Sequence, residues 1–190
     1  MGVMSLVNDD KKAVEAEIRR WLEQVVVDLG LCPFAAKPLQ EERVSIDVSF
    51  AQNPEDLASD LHIALCRLEE TPVATLETSL LVVPNMLGNF YDYNDFLDIA
   101  DAILLEGDWE GEIQIASFHP QYQFAGTNKN DAENFTNRAP YPIFHLLREA
   151  SLEAVLAAYP DPDAIPERNI ELFQGMEKAA IKALFPYCFR

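Results

Sequence analysis

The chain has 190 residues, of which 49% are hydrophobic and 24% are charged. These fractions are typical of a globular protein and exclude a disordered or fibrous chain. Fourteen Lys and Arg residues stand against 32 Asp and Glu residues, which gives a net charge of -18. Because so acidic a chain repels phosphate backbones and anionic membrane surfaces, we expect neither nucleic acid nor a membrane as a partner.

We expect one globular domain over residues 1–190, with a flexible N-terminal stretch 1–12. The three cysteines, Cys32, Cys66 and Cys188, show no Cys-x-x-Cys spacing, which predicts reduced thiols in a cytoplasmic protein. The longest apolar run has six residues and is far too short to cross a membrane. Residues 1–7 lack the basic flank of a secretory signal.

Helical and strand patterns alternate along the first two thirds of the chain. In chain order they predict a helix over residues 13–29, a strand over 43–50, a helix opening at Asn53-Pro54, a strand over 78–84, a helix over 93–105 and a strand over 112–118. This order predicts an α/β fold with a small sheet of at least three mainly parallel strands, the middle one central. A two-layer α+β sandwich with some antiparallel pairing stays open, because residues 43–50 alternate as if only one face were buried.

A loop of about 20 residues follows Phe118, and loops of that length inside a compact domain are usually functional. Beyond it we predict a C-terminal helical pair over residues 142–159 and 166–184, each with a proline suited to the first helical turn. Residues 118–148, which span the loop and the start of the next predicted helix, hold two of the three histidines. The loop begins at the carboxyl end of the third strand, which is the edge where open α/β sheets bind ligands.

His119 would enter this edge directly from the strand, as a candidate general base or acid. A helix opening at Pro142 would place His145 and Arg148 in its first turns, where backbone amides and the helix dipole favour an anion. The guanidinium groups of Arg148 and Arg138 match carboxylate or phosphate bidentately.

Cys32 precedes Pro33, and two readings of its position differ in the state of the thiol. If Pro33 opens a short helix, the sulfur faces free backbone amides that stabilise a thiolate. If Cys32 instead ends the preceding helix, the dipole has the opposite sign and the thiol stays protonated. We expect Cys66 and Cys188 to be packing residues.

Several motifs and single residues stand out along the chain: Leu31-Cys32-Pro33-Phe34-Ala35, Phe118-His119-Pro120, Tyr122, Asp131, Asn134, Asn137-Arg138, Pro140-Tyr141-Pro142, His145-Leu146-Leu147-Arg148-Glu149 and Glu167-Arg168-Asn169. From Trp21 to Leu184 this pattern resembles an uncharacterised bacterial family, DUF1415. The resemblance implies no established activity. It marks the candidate substrate-binding residues, which are Tyr122, Asn134, Asn137, Arg138, Tyr141 and Arg148.

Our leading hypothesis is a thiol-dependent transferase or hydrolase that acts on a small anionic carboxylate or phosphate. In it Cys32 is the nucleophile and His119 or His145 is the acid and base. No Gly-x-Gly-x-x-Gly, Gly-x-x-x-x-Gly-Lys-Ser/Thr or Gly-x-Ser-x-Gly motif occurs, and we expect no cofactor.

Two alternatives remain open. A metal-dependent hydrolase would use His119, His145 and Asp131, although no close histidine pair supports it. A protein that binds a ligand or partner without turnover would use the loop as a structural clasp. In that clasp Arg138 and Arg148 would pair with Asp131 and Glu149.

Overall fold

The computed structural model describes residues 2–189 and the side chains of residues 10–189. The strands are β1 (Val44–Val48), β2 (Thr78–Val82), β3 (Ile113–Phe118) and β4 (Ile143–Arg148). The helices are α1 (Gly2–Trp21), α2 (Ala36–Gln40), α3 (Pro54–Glu70), α4 (Phe90–Glu106), α5 (Glu149–Ala158), α6 (Ala164–Gln174) and α7 (Lys178–Leu184). A π-helical segment, Leu22–Val27, continues α1, and 3-10 segments cover Ala132–Asn137 and Pro186–Phe189. Most of the stretch 1–12 lies outside the residues with described side chains, and its flexibility stays a prediction.

The strands form one sheet in the order β1-β2-β4-β3. β1 and β2 are parallel, and β4 is antiparallel to both of its neighbours. β3 therefore runs in the same direction as β1 and β2. The predicted α/β class is confirmed for a mixed sheet, in which one strand pair is parallel and two are antiparallel, so the antiparallel pairing that the alternative expected is present. β2 is an interior strand, as expected from its fully buried residues.

The fourth strand was predicted as helix, and this prediction is wrong. Residues 143–148 form β4, and α5 covers only the second half of the predicted helix. Because β4 lies between two strands with both faces covered, it carries apolar residues on both sides, and such a run resembles a buried helix. Pro142 precedes the strand, where its carbonyl accepts a hydrogen bond from the Val83 amide at 2.9 Å and no N–H is required of it.

Apolar clusters cover both faces of the sheet. On one face, α3 and α4 pack against Leu81, Phe144 and Ile113. On the other face, α1 and the 3-10 segment Ala132–Asn137 pack against Leu80 and Ile143. The sheet is thus the middle of three layers, and the two-layer alternative is not adopted.

Local signals place the helix ends that matter for the site. Asn53 caps α3, since its Oδ1 accepts from the Asp56 amide at 2.8 Å. Gly30, at φ +67°, ends the first helical region, as predicted. Gly175 divides the second predicted C-terminal helix into α6 and α7. Within residues 2–189, none of the helices combines the length and apolar character needed to cross a bilayer.

Candidate functional site

Asn134 ties the long loop to the 3-10 segment Ala132–Asn137. Its side chain is fully buried, and its Oδ1 accepts from the Phe124 amide and from Thr127 Oγ1, both at 2.9 Å. Its Nδ2 donates to the Asn128 carbonyl at 2.7 Å. At about 1 kcal/mol for each bond, Asn134 stabilises the loop by about 3 kcal/mol.

Arg138 is only 3% exposed and forms hydrogen bonds with the backbone of the same loop. Its Nε donates to the Tyr122 carbonyl at 3.4 Å, its Nη2 donates to the Lys129 carbonyl, and its guanidinium lies 4.4 Å from the Phe135 ring centroid. Burial lowers the pKa of Arg138. Among the described side chains Arg138 has no ion-pair partner, so carbonyl dipoles and an aromatic face balance its charge.

The ion pair between Arg138 and Asp131 that the clasp hypothesis expects is not formed among the described side chains. Asp131 accepts from the Asn128 amide at 2.7 Å instead of pairing with the guanidinium. Cys188 contacts Arg138 from the C-terminal segment, and burial raises the pKa of the Cys188 thiol to about 11 despite the nearby positive charge.

The remaining loop candidates bind neighbouring elements. Asn137 Nδ2 donates to the Ser117 carbonyl of β3 at 3.1 Å. Tyr122 lies 3.5 Å from the Ser117 hydroxyl, and Tyr141 donates to Glu17 of α1 at 2.8 Å. These contacts explain why such polar residues occur in the loop, because each one satisfies a group of the surrounding fold.

His119 is fully buried, and both of its ring nitrogens bind the backbone. Nδ1 accepts from the Gln121 amide and Nε2 donates to the Leu87 carbonyl, each at 2.9 Å. Phe90 and Tyr93 of α4 pack against the ring. Burial lowers the pKa of His119, so the neutral imidazole holds the turn at the end of β3.

His145 lies within β4 on the face that α1 covers. Its Nε2 is 2.8 Å from Thr78 Oγ1, which donates its own proton to the Leu146 carbonyl at 2.6 Å. The hydroxyl therefore accepts from the imidazole, which places the ring proton on Nε2. Burial lowers the pKa of His145 to about 4. The predicted position in a helical first turn is wrong, because the residue belongs to a strand.

Cys32 precedes the turn that leads into α2, and its sulfur accepts from the Phe34 and Ala35 amides. Burial nevertheless raises the pKa of the thiol, because desolvation outweighs these two bonds. Arg168 and Asn169 of α6 hold the preceding residues, donating to the Gly30 and Leu31 carbonyls at 2.6 and 2.8 Å.

Cys32 and His119 belong to different parts of the structure. Leu31, just before Cys32, packs in the core of the α1 face, whereas His119 packs against Tyr93 in the core of the opposite face. No hydrogen bond joins Cys32 to an imidazole within the described part of the chain. The segments of Cys32 and His119 therefore pack on opposite faces of the sheet, and a pairing of Cys32 with His145 stays a prediction.

Arg148 binds the carboxyl end of α3. It is the last residue of β4, and the segment that contains Arg138 precedes the other end of this strand. Its guanidinium donates to the carbonyls of Leu68 and Thr71, the latter at 2.5 Å, and to the Leu76 carbonyl at 3.4 Å. Arg148 shares its sheet face with Phe144, whereas His145 points to the other face. The two arginines do not form one anion site, and Arg148 closes the carboxyl end of a helix.

The metal alternative lacks a ligand set. Within residues 10–189 no three side chains of His, Cys, Asp or Glu form a group able to hold an ion. His119, His145 and Asp131 each bind other groups, as described above.

A cleft of about 540 Å³ lies elsewhere, at the amino end of β1. We call it the basic cleft. Its lining residues are Lys12, Glu15, Ala16, Arg19, Glu42, Val44, Ser45, Ile46, Arg67, Thr71, Thr75 and Leu76. Sequence reasoning missed it, although the seven-residue spacing of Lys12 and Arg19 places both on one face of α1.

Lys12 and Arg19 are exposed and have no ion-pair partner among the described side chains. Arg67 pairs with Asp47 at 2.6 Å, and Glu15 lies 3.7 Å from Lys11. The lining of the basic cleft therefore holds three cations against the two carboxylates Glu15 and Glu42, and neither Lys12 nor Arg19 forms an ion pair with a described side chain.

Comparison with known proteins identifies the family to which the chain belongs. The family model described as "Protein of unknown function (DUF1415)" matches residues 13–183. No curated protein and no solved structure gives a significant match. Because the matched residues cover well over half of the chain, the protein belongs to the DUF1415 family.

Proposed function

We propose that the protein binds a small anion, a carboxylate or a phosphate, in the basic cleft without turning it over. The observation that carries this proposal is that Lys12 and Arg19 line one cleft without forming an ion pair with a described side chain, in a lining whose cations exceed its carboxylates by one. In a chain of net charge -18, carboxylates are abundant, so two unpaired cations at one opening favour an external anion.

The volume and chemistry of the cleft suit a small molecule. At about 540 Å³ it falls within the usual range of ligand sites, and Thr75 adds a hydroxyl donor to the cations. Arg19 supplies a planar fork that matches the oxygens of a carboxylate or phosphate, while Lys12 supplies a point charge.

The carboxyl end of α3 borders the cleft at Thr71, and its free carbonyls would repel an anion. Arg148 donates to the carbonyls of Leu68 and Thr71, which reduces that repulsion.

The proposal assigns binding and not catalysis, for a chemical reason. The described residues that line the cleft include no cysteine and no histidine, so they supply neither a thiol nucleophile nor an imidazole base. Cys32, His119 and His145 contact backbone or threonine groups elsewhere.

Isothermal titration calorimetry of the full chain with inorganic phosphate and with succinate, at low ionic strength, tests the proposal. Arg19→Gln removes a lining cation, and Arg20→Gln is the matched control, since Arg20 is exposed on the same helix outside the lining. We expect Arg19→Gln to weaken binding about tenfold, a change of about 1.4 kcal/mol, and Arg20→Gln to leave it unchanged.

A second pair of variants repeats the comparison at a lysine, with Lys12→Gln as the test and Lys37→Gln as the control, because Lys37 is exposed and lies outside the lining. Equal losses in test and control would mean that net charge alone attracts the anions. That result, or the absence of binding heat with both anions, contradicts the proposal.

A further inference from the structure

A thiol and an imidazole do meet in this protein, on the outer side of α3. His62 and Cys66 lie one helical turn apart, with Cys66 Sγ 3.5 Å from His62 Nε2. His62 is exposed and Cys66 is half-buried. We propose that this pair chelates a divalent transition metal such as Zn²⁺, with Sγ and Nε2 as the two protein ligands.

The separation of the two atoms fits a chelated metal. Tetrahedral zinc binds sulfur at about 2.3 Å and imidazole nitrogen at about 2.0–2.1 Å, which puts the two ligand atoms about 3.6 Å apart. The observed 3.5 Å already matches this distance. A metal would therefore enter the pair with little movement of either side chain.

The imidazole is positioned by its surroundings. The His62 ring lies 5.3 Å from the ring of Trp109, which is only 3% exposed. Trp109 Nε1 donates to Glu69 at 2.8 Å, and a Cβ at Gly107 would lie 2.3 Å from the indole. Trp109 is thus held on two sides and limits the rotation of the ligand beside it, which favours binding by preorganisation.

The negative charge of the chain and the small number of protein ligands determine how tightly the site would bind a metal. A net charge of -18 draws cations to the surface, and Glu69 lies in the next turn of the same helix. In the part of the chain with described side chains, no third ligand joins the pair, so water occupies the remaining positions. We therefore expect an exchangeable metal, bound more weakly than in a closed structural site.

Binding requires the thiolate, so the Cys66 thiol gives its proton to the solvent as the metal–sulfur bond forms. No change of oxidation state is involved. The site does not depend on the basic cleft, whose lining includes neither His62 nor Cys66.

Titration of the reduced full chain with Co²⁺ tests the inference, because a cobalt–thiolate bond produces a charge-transfer absorption that carboxylates do not. We expect one Co²⁺ per chain, displaced by Zn²⁺. His62→Gln and Cys66→Ser should each weaken binding at least tenfold, with far-ultraviolet circular dichroism showing that the variants fold.

The matched controls are Cys32→Ser and Cys188→Ser, which remove thiols outside α3 and should keep the absorption. Quenching of tryptophan fluorescence by Co²⁺ gives a second signal, which should decrease in Trp109→Phe. Absence of the charge-transfer band, or a band that persists in Cys66→Ser or is unaffected by His62→Gln, overturns the inference.

Discussion

The buried imidazole of His145 predicts a specific loss of stability in acid. Burial lowers its pKa from 6.5 to about 4. At about 1.4 kcal/mol per pKa unit, this depression corresponds to about 3 kcal/mol. Above the unfolded pKa both states hold a neutral ring. As the pH falls below 6.5 the unfolded chain binds a proton that the folded chain refuses, so stability decreases until the pH reaches the folded pKa.

His145→Gln isolates this effect, because its amide can still donate to Thr78 and carries no titrating ring. Urea unfolding at about pH 7 and at about pH 4 should show the wild-type chain losing about 3 kcal/mol more than the variant. His119, whose pKa is also lowered by burial, contributes in the same direction to both proteins and cancels in the comparison. Equal acid losses in the two proteins, or an NMR titration midpoint for His145 near 6.5, would refute the reasoning.

Two further predictions concern the other leading site candidates. Replacing Arg148 with Met leaves the carbonyls of Leu68 and Thr71 without their charged donor. We expect the free energy of unfolding, measured in urea, to fall by about 3 kcal/mol. A loss below about 0.5 kcal/mol is typical of an ordinary surface position and would contradict the contact. Because burial raises the pKa of Cys32, iodoacetamide should alkylate it more slowly at neutral pH than the same cysteine in the urea-unfolded chain, as followed by peptide mass spectrometry. Faster alkylation in the folded protein would restore Cys32 as a candidate nucleophile.

Most of the fold could be predicted because its signals are local. The Asn53-Pro54 cap, the continuous apolar run of β2 and the stop at Gly30 each act within a few residues. β4 could not be predicted in this way. Its apolar residues on both sides reflect burial between two strands distant in sequence, and pattern alone does not separate such a strand from a buried helix.

The site predictions depended on that one segment. Read as a helix, residues 142–148 place His145 and Arg148 together near an amide-rich end; as a strand, they send the two side chains to opposite faces. The carbonyls of Leu68 and Thr71 that Arg148 binds lie 80 and 77 residues away in the chain, so this contact leaves no local signal. The four-residue spacing of His62 and Cys66, by contrast, was visible in the sequence and was overlooked because Cys66 lies among leucines.

The insertion of the last strand between two earlier ones has a consequence for synthesis on the ribosome. Until residue 148 has emerged, β2 lacks its neighbour on one side and β3 has no partner at all. A nascent or truncated chain that ends within the long loop therefore exposes open strand edges, and such edges recruit other chains. Dependence on chaperones should accordingly be greatest for chains that stop between β3 and β4. It should fall sharply once β4 is complete and pairs with β2 and β3.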